Sequence, residues 1–176
     1  MFEEYKNRIG YYIFKKKIFK EFNSSYSFND FIENSSSYVI IMPLNDIDFA
    51  NSFDIAKYFK IHKKEVTLFL PEHRVNSENI ISNYKYLSYD LTDITKFGLP
   101  SKLFIKNLNE NNFDVLIDLE RDNNLFLTSI ASLINAKYKV GFKKPDIENL
   151  YNFQLVSTKI NSEISYRNLL NSLKMF

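Results

Sequence analysis

The sequence predicts an α/β fold: a mainly parallel, doubly wound sheet covered by helices on both faces, preceded by a basic amphipathic helix. Two observations support this. Short runs of β-branched and aromatic residues alternate with longer segments of helical periodicity, which favours right-handed crossovers between parallel strands. The composition of the 176 residues, 45% hydrophobic and 25% charged, is ordinary for a globular chain. We therefore divide the chain into an N-terminal helix (1–22), a linker (23–37) and one α/β domain (38–176).

The N-terminal segment predicts a helix from residue 2 to about residue 22, because apolar residues recur at helical spacing from Phe2 to Ile13. Residues 1–22 carry six basic and three acidic side chains, a balance of +3. A basic amphipathic helix can lie on an anionic membrane, which makes Lys15, Lys16 and Lys17 candidate membrane-surface residues. The alternative, which we favour, is a helix that packs on the domain and exposes its lysines to water. Residues 23–37 are polar and serine-rich, as expected of a connection.

The α/β domain begins with the apolar run Tyr38–Met42, which predicts a buried central strand stopped by Pro43. A polar loop and a helix to about His62 follow, then a strand at 66–70 that ends at Pro71. Residues 72–83 are ambiguous and include a short helix at most. The remaining predicted elements are a strand at 85–89, a helix from the Ser101 cap to about 111, a strand at 115–119, a helix at 125–136, a strand at 137–142 broken at Gly141, a strand at 153–156 and a helix at 162–176. The order is that of a Rossmann-like sheet.

Ligands of such folds bind beyond the carboxyl ends of the strands, which directs attention to the loops at 43–48 and 119–124. A carboxylate placed there can act as a general base, and several together can hold Mg²⁺. The alternative is that Asp46 and Asp48 cap a helix and that the later acidic cluster is a solvated loop. The candidate ligand-binding residues are Asn45, Asp48, Asp118, Glu120 and Arg121, with Asp46 as the candidate catalytic residue.

The sequence argues against several classes of site, because it lacks the residues that these sites require. Its three glycines, Gly10, Gly98 and Gly141, form no phosphate-cradling loop, so we predict no cofactor. The chain has no cysteine, and His62 and His73 lie in no metal-ligand spacing, so we name no metal ligand. A net charge of +2 is too small to imply a nucleic-acid partner.

The expected location is the cytoplasm. The longest apolar run ends at Leu44 and is far shorter than the ~20 residues that span a bilayer. The N-terminus carries charges without an apolar run of signal-peptide length. The basic helix would permit a peripheral position on the inner face of the membrane.

Three segments resemble the heptosyltransferase family (glycosyltransferase family nine). Residues 39–47 resemble the family's opening strand and loop, and residues 113–120 resemble its "yDlvIDlq" strand. Residues 136–142 resemble its "a..riGf" strand, and the final helix falls where the family's first domain ends. The resemblance covers roughly residues 38–176. The layout is also similar to that of short stand-alone chains of unknown function, which we take as the nearer relatives.

The resemblance implies half of a two-domain glycosyltransferase fold. In that family the first domain holds the acceptor and the second holds the nucleotide-sugar. Asp46 matches the aspartate taken as the family's catalytic base, whereas Asn45 stands where the family has glycine. Asparagine tolerates positive φ better than most residues, so the family's turn could form.

Three functional hypotheses follow. The leading one is an acceptor-half domain that is not catalytic alone and acts as a binding or scaffold protein. The second is one subunit of a split glycosyltransferase, with Asp46 as general base and a protein partner that supplies the nucleotide-sugar domain. The third is a small-ligand-binding α/β domain unrelated to sugars, which requires a pocket at the loops 43–48 and 119–124.

Overall fold

The computed structural model of the chain describes residues 2–19, 21, 31–75, 83–145, 147, 149–156 and 161–176. Its strands are β1 (Ser37–Ile41), β2 (Glu65–Pro71), β3 (Lys85–Tyr89), β4 (Phe113–Asp118), β5 (Ala136–Phe142) and β6 (Phe153–Leu155). Its α-helices are α1 (Phe2–Ile13), α2 (Asp46–Ile61), α3 (Glu72–Val75), α4 (Lys102–Leu108), α5 (Leu125–Leu133) and α6 (Ser162–Leu173). A π-helical segment (Phe14–Ile18) extends α1, and a 3₁₀ turn (Leu91–Asp93) follows β3.

The strands form one six-stranded sheet in the order β3-β2-β1-β4-β5-β6. All five strand pairs are parallel. The strand order reverses between β1 and β4. Strands β1 to β3 extend to one side of the sheet, and after β3 the chain returns to place β4 on the other side of β1. This topology confirms the predicted doubly wound, Rossmann-like α/β fold.

Two apolar layers cover the sheet, because alternate side chains of each buried strand point to opposite faces. Ile40 belongs to a core cluster that includes Phe59 of α2, and α6 packs in the same layer. Its neighbour Ile41 belongs to a second cluster, which includes Ile130 of α5 and residues of α4. The continuous apolar run of β1 therefore reflects a strand that is buried on both sides.

The N-terminal helix is shorter than predicted and lies against the domain. α1 ends at Ile13, the π-helical segment follows, and Phe19 is already extended, with φ −64° and ψ 126°. Phe14 is fully buried in the second core cluster, the one that includes Ile130 of α5. A Cβ added to Gly10 would lie 2.2 Å from the carbonyl oxygen of Phe97, so only glycine allows this close approach.

The residues before β1 also pack with the domain. Phe31 is fully buried, and its ring lies edge-on to that of Tyr138, 5.5 Å away. The Asp114 carboxylate accepts hydrogen bonds from the backbone N–H groups of Ser36 and Ser37, at 2.8 and 3.0 Å. Residues 23–30 of the predicted linker lie outside the described residues, but the end of that segment belongs to the core.

Some element boundaries differ from the prediction. α5 ends at Leu133, because Ile134 adopts ψ 126°, and Ala136 then begins β5. β5 continues through Gly141 without the predicted break. The ambiguous segment 72–83 contains α3, while its residues 76–82 lie outside the described part of the chain.

Candidate functional site

Asn45 lies at the carboxyl end of β1 and caps α2. Its side-chain oxygen accepts hydrogen bonds from the backbone N–H groups of Ile47 and Asp48, at 3.0 and 3.2 Å. Its φ is −67°, so the left-handed turn considered from the resemblance is not formed. The suggestion that Asp46 and Asp48 cap the helix is likewise wrong, since the cap is Asn45 and both aspartates occupy the first helical turn. Asparagine is favoured here because it satisfies two of the unpaired N–H groups that begin every helix.

Asp46 faces solvent beside Arg74 of α3. The Asp46 side chain is 91% exposed, and its Oδ1 lies 2.5 Å from Nη2 of Arg74. The same Arg74 nitrogen donates to the carbonyl of Leu44 at 2.7 Å, and the guanidinium lies 4.3 Å from the ring centre of Phe49. Arg74 was not predicted as a site residue, because it lies in segment 72–83, whose structure the apolar periodicity does not determine.

Asp48 and Arg121 form a pair that joins three elements. The buried Asp48 carboxylate accepts hydrogen bonds from Nε and Nη2 of Arg121, at 2.9 and 2.7 Å. Nη1 of Arg121 donates to the hydroxyl of Ser165 on α6, at 3.2 Å. Hydrogen bonding to Asp48 raises the pKa of the Arg121 guanidinium. Both predicted ligand-binding residues are thus engaged in linking α2, the loop after β4, and α6.

Asp118 belongs to a buried ionic cluster at the end of β4. Its carboxylate accepts a hydrogen bond from the Tyr151 hydroxyl and lies 3.4 Å from Nζ of Lys144. Lys144 is itself 1% exposed and donates to the carbonyl oxygens of Glu120 and Asp122. Burial, followed by the nearby Asp118 charge, raises the pKa of the Tyr151 hydroxyl. Lys144 and Tyr151 were not predicted, since no local pattern distinguishes them from surface residues of a loop.

Glu120 bridges the loops that follow β1 and β4. It is 2% exposed, and its carboxylate accepts hydrogen bonds from the backbone N–H groups of Leu44, at 3.0 Å, and Asp122, at 2.9 Å. Burial raises the pKa of Glu120, although both N–H groups and the Lys144 charge act in the opposite direction. The alternative of a solvated acidic loop is therefore wrong for Asp118 and Glu120. The Glu120 side chain lies between the ends of β1 and β4, where the strand order of the sheet reverses.

Two grooves lie along the same edge of the sheet. The larger encloses about 570 Å³ and the smaller about 450 Å³, and Ile94 lines both, so the grooves adjoin. The larger groove, here called the β1–β3 groove, is lined by Leu44, Pro71, Glu72, His73, Tyr89, Asp90, Leu91 and Ile94. The smaller, here called the α1 groove, is lined by Asn7, Tyr11, Ile94, Gly98, Asn123, Asn124, Leu125 and Phe126.

The β1–β3 groove combines apolar walls with acidic groups. Of its lining residues, Tyr89 is buried, whereas Leu91 is 86% exposed. The Asp90 carboxylate accepts hydrogen bonds at 2.6 Å from the backbone N–H and the hydroxyl of Thr92, which lower the pKa of Asp90. The predicted loops 43–48 and 119–124 therefore contribute to two adjoining grooves instead of one shared pocket.

Among the described residues, no group of three or more His, Cys, Asp or Glu side chains is placed to hold a metal ion. None of the helices in this part of the chain combines the length and apolar character needed to cross a bilayer.

A family model for a family of unknown function, DUF6913, matches residues 6–176. The chain belongs to the DUF6913 family. Because the match begins within α1 and ends after α6, the DUF6913 unit includes the N-terminal helix together with the sheet. No curated protein and no solved structure matches this DUF6913 chain.

Proposed function

We propose that this DUF6913 chain is a glycosyltransferase-like, acceptor-half domain that binds a ligand and does not transfer sugar alone. The main support for this proposal is the β1–β3 groove. It is an open site beside carboxylates that already bind other groups of the chain. Its volume of about 570 Å³ is in the range of small-molecule sites, which combine apolar walls with a few polar groups.

The state of the carboxylates supports binding over catalysis. A general base must lie within hydrogen-bond reach of the proton that it removes. Asp48 is held by Arg121, Asp118 by Tyr151 and Lys144, and Glu120 by two backbone N–H groups. All three carboxylates are buried, so an acceptor hydroxyl in either groove would have to displace an existing contact.

The lining of the β1–β3 groove indicates the class of ligand. The carboxylates of Glu72 and Asp90 offer hydrogen-bond acceptors, so the matching ligand supplies donors. Leu91, which is 86% exposed, offers apolar surface against which a ring face can pack. A sugar, or another polyol with an apolar ring face, meets both requirements.

Binding is tested by titrating the isotope-labelled chain with monosaccharides while its amide resonances are recorded. We expect shifts at the β1–β3 groove, and at least a fivefold weaker affinity for Leu91→Asp. The matched control is Leu103→Asp, which changes a leucine that is 71% exposed on α4 and lies outside the groove lining. Shifts confined to other surfaces, or equal losses in both variants, would contradict the proposal, as would sugar transfer by the purified chain. Selective binding of a ligand without hydroxyl donors would favour the binding domain unrelated to sugars.

The exposure of Asp46 favours a second candidate function, one subunit of a split glycosyltransferase. Because the Asp46 side chain is 91% exposed, a protein partner carrying a nucleotide-sugar domain could reach it. In that case Asp46→Asn should lower the reconstituted transfer rate by about 10²-fold or more. Asp54→Asn, an exposed change on the same helix, is the control. Full activity of Asp46→Asn would exclude this role.

A further inference from the structure

We propose that the outer face of α1 and the π-helical segment docks the chain on an anionic phospholipid surface. This docking face consists of Tyr5, Arg8, Tyr12, Lys15, Lys16 and Lys17, all of which are exposed. The inference is independent of the ligand proposed for the β1–β3 groove.

The inner side of the helix is occupied by the domain. Phe14 is fully buried, and Gly10 lies against the carbonyl of Phe97. The hydroxyl of Ser132 on α5 donates to the carbonyl of Ile18 at 3.2 Å, which ties the end of the π-helical segment to the domain. The apolar side of the helix is therefore unavailable to lipid, and any membrane contact must come from the outward residues.

The outer side presents aromatic and basic residues in one stripe. Tyr5, Arg8, Tyr12 and Lys16 follow one another at spacings of three or four residues, which places them along one helix face. Tyr5 is 69% and Tyr12 60% exposed, and Nζ of Lys16 lies 4.9 Å from the ring centre of Tyr12. Tyrosine, with an apolar ring and a polar tip, is enriched at membrane–water interfaces.

The π-helical segment concentrates positive charge at the end of this stripe. π-Helices are rare and often mark functional sites. Here the segment exposes three successive lysines, Lys15, Lys16 and Lys17. Residues 4–18 contain five basic side chains and one acidic side chain. Each basic residue near an anionic bilayer contributes about fivefold in affinity, so the four basic side chains of the docking face favour reversible attachment.

Lipid fits this surface better than nucleic acid does. Sites for single-stranded nucleic acids combine a basic groove with stacking aromatic residues. The tyrosines of the docking face instead project from the outer side of a single helix, and the whole chain has a net charge of only +2. A bilayer surface can meet such a convex face without a groove.

The test is sedimentation of the whole chain with phosphatidylcholine vesicles, with and without phosphatidylserine. We expect binding only when phosphatidylserine is present, and weaker binding as salt concentration rises. Changing Lys15, Lys16 and Lys17 together to glutamate should weaken binding at least tenfold. The matched control changes Lys57, Arg167 and Lys174 to glutamate, because these exposed residues give the same charge change on the opposite helical layer.

A second variant, Tyr5→Ser with Tyr12→Ser, removes the exposed rings without changing charge. It should weaken vesicle binding, and it carries the test alone if the lysine variant does not fold. The proposal is wrong if phosphatidylserine vesicles do not bind, if pure phosphatidylcholine binds equally well, or if the control variant loses as much affinity. Tighter binding to a single-stranded oligonucleotide than to vesicles would also overturn it.

Discussion

The guanidinium of Arg121 donates two hydrogen bonds to the buried carboxylate of Asp48, at 2.7 and 2.9 Å. The side chains are 21% and 4% exposed, so the pair lies at the boundary between core and solvent. Because Arg121 also donates to Ser165, one side chain links α2, the loop after β4, and α6. Loss of either charge would leave the other without its main partner.

Arg121→Ala should lower the free energy of unfolding by about 3 kcal/mol, because it leaves the Asp48 carboxylate buried and unpaired. Urea denaturation of the purified variant measures the loss. The control is Arg8→Ala, which breaks an exposed contact to Glu4 at 3.9 Å and should cost well under ~1 kcal/mol. Replacing Asp48 and Arg121 together by leucine and methionine should restore much of the stability. A loss no larger than that of Arg8→Ala would show that the pair is not a structural link.

Gly141→Ala should destabilise the chain by about 1–3 kcal/mol, because overpacking forces neighbours to shift. A Cβ on Gly141 would lie 2.9 Å from Cζ of Tyr151, whose hydroxyl donates to Asp118. The cost should shrink when Tyr151 is first changed to leucine, so a double-mutant cycle followed by urea denaturation isolates the contact. If Gly141→Ala lowers the free energy of unfolding equally in the natural chain and in the Tyr151→Leu variant, the Tyr151 ring is not the reason that glycine occupies this position.

Asp114→Asn should remove part of the acid sensitivity of the fold. Hydrogen bonds from the backbone N–H groups of Ser37 and Ser36 lower the pKa of Asp114 in the folded state. A lowered pKa stabilises the fold at pH values above the unfolded pKa of about 3.9, and this contribution disappears as pH falls through the folded value. The variant should therefore be less stable than the natural chain at neutral pH and approach it in acid. Urea denaturation across a pH series checks this, and parallel stability curves would contradict it.

The fold was predictable because its signals are local. The apolar run of β1 indicated burial on both faces, and β3 matches the range predicted for it, Lys85–Tyr89. The end of the N-terminal helix was misplaced, because the change from α-helical to π-helical geometry after Ile13 interrupts no apolar periodicity. Gly141 was misread as a strand break, since its reason lies in a ring that arrives from residue 151.

The candidate site was predictable only by location. Loops at the carboxyl ends of strands were indicated by topology, and Asn45, Asp46, Asp118 and Glu120 do lie there. Their partners were not indicated, because Tyr151 lies 33 residues from Asp118 and Arg74 lies 28 residues from Asp46. Periodicity reports which face of an element is buried, but it carries no information on which distant polar groups pair.

The hydrogen bond between Glu120 and the backbone of Leu44 affects which ligands can bind at this edge of the sheet. In many sheets of this topology the backbone N–H groups at the reversal point receive the phosphates of a nucleotide. Here the N–H of Leu44 already binds an oxygen of the chain's own carboxylate. A phosphate that approached the same spot would find its donor taken and would meet a negative charge whenever Glu120 is ionised. Glu120 therefore competes with a phosphate for this N–H group, which makes the β1–β3 groove less suited to nucleotides than to ligands without phosphate.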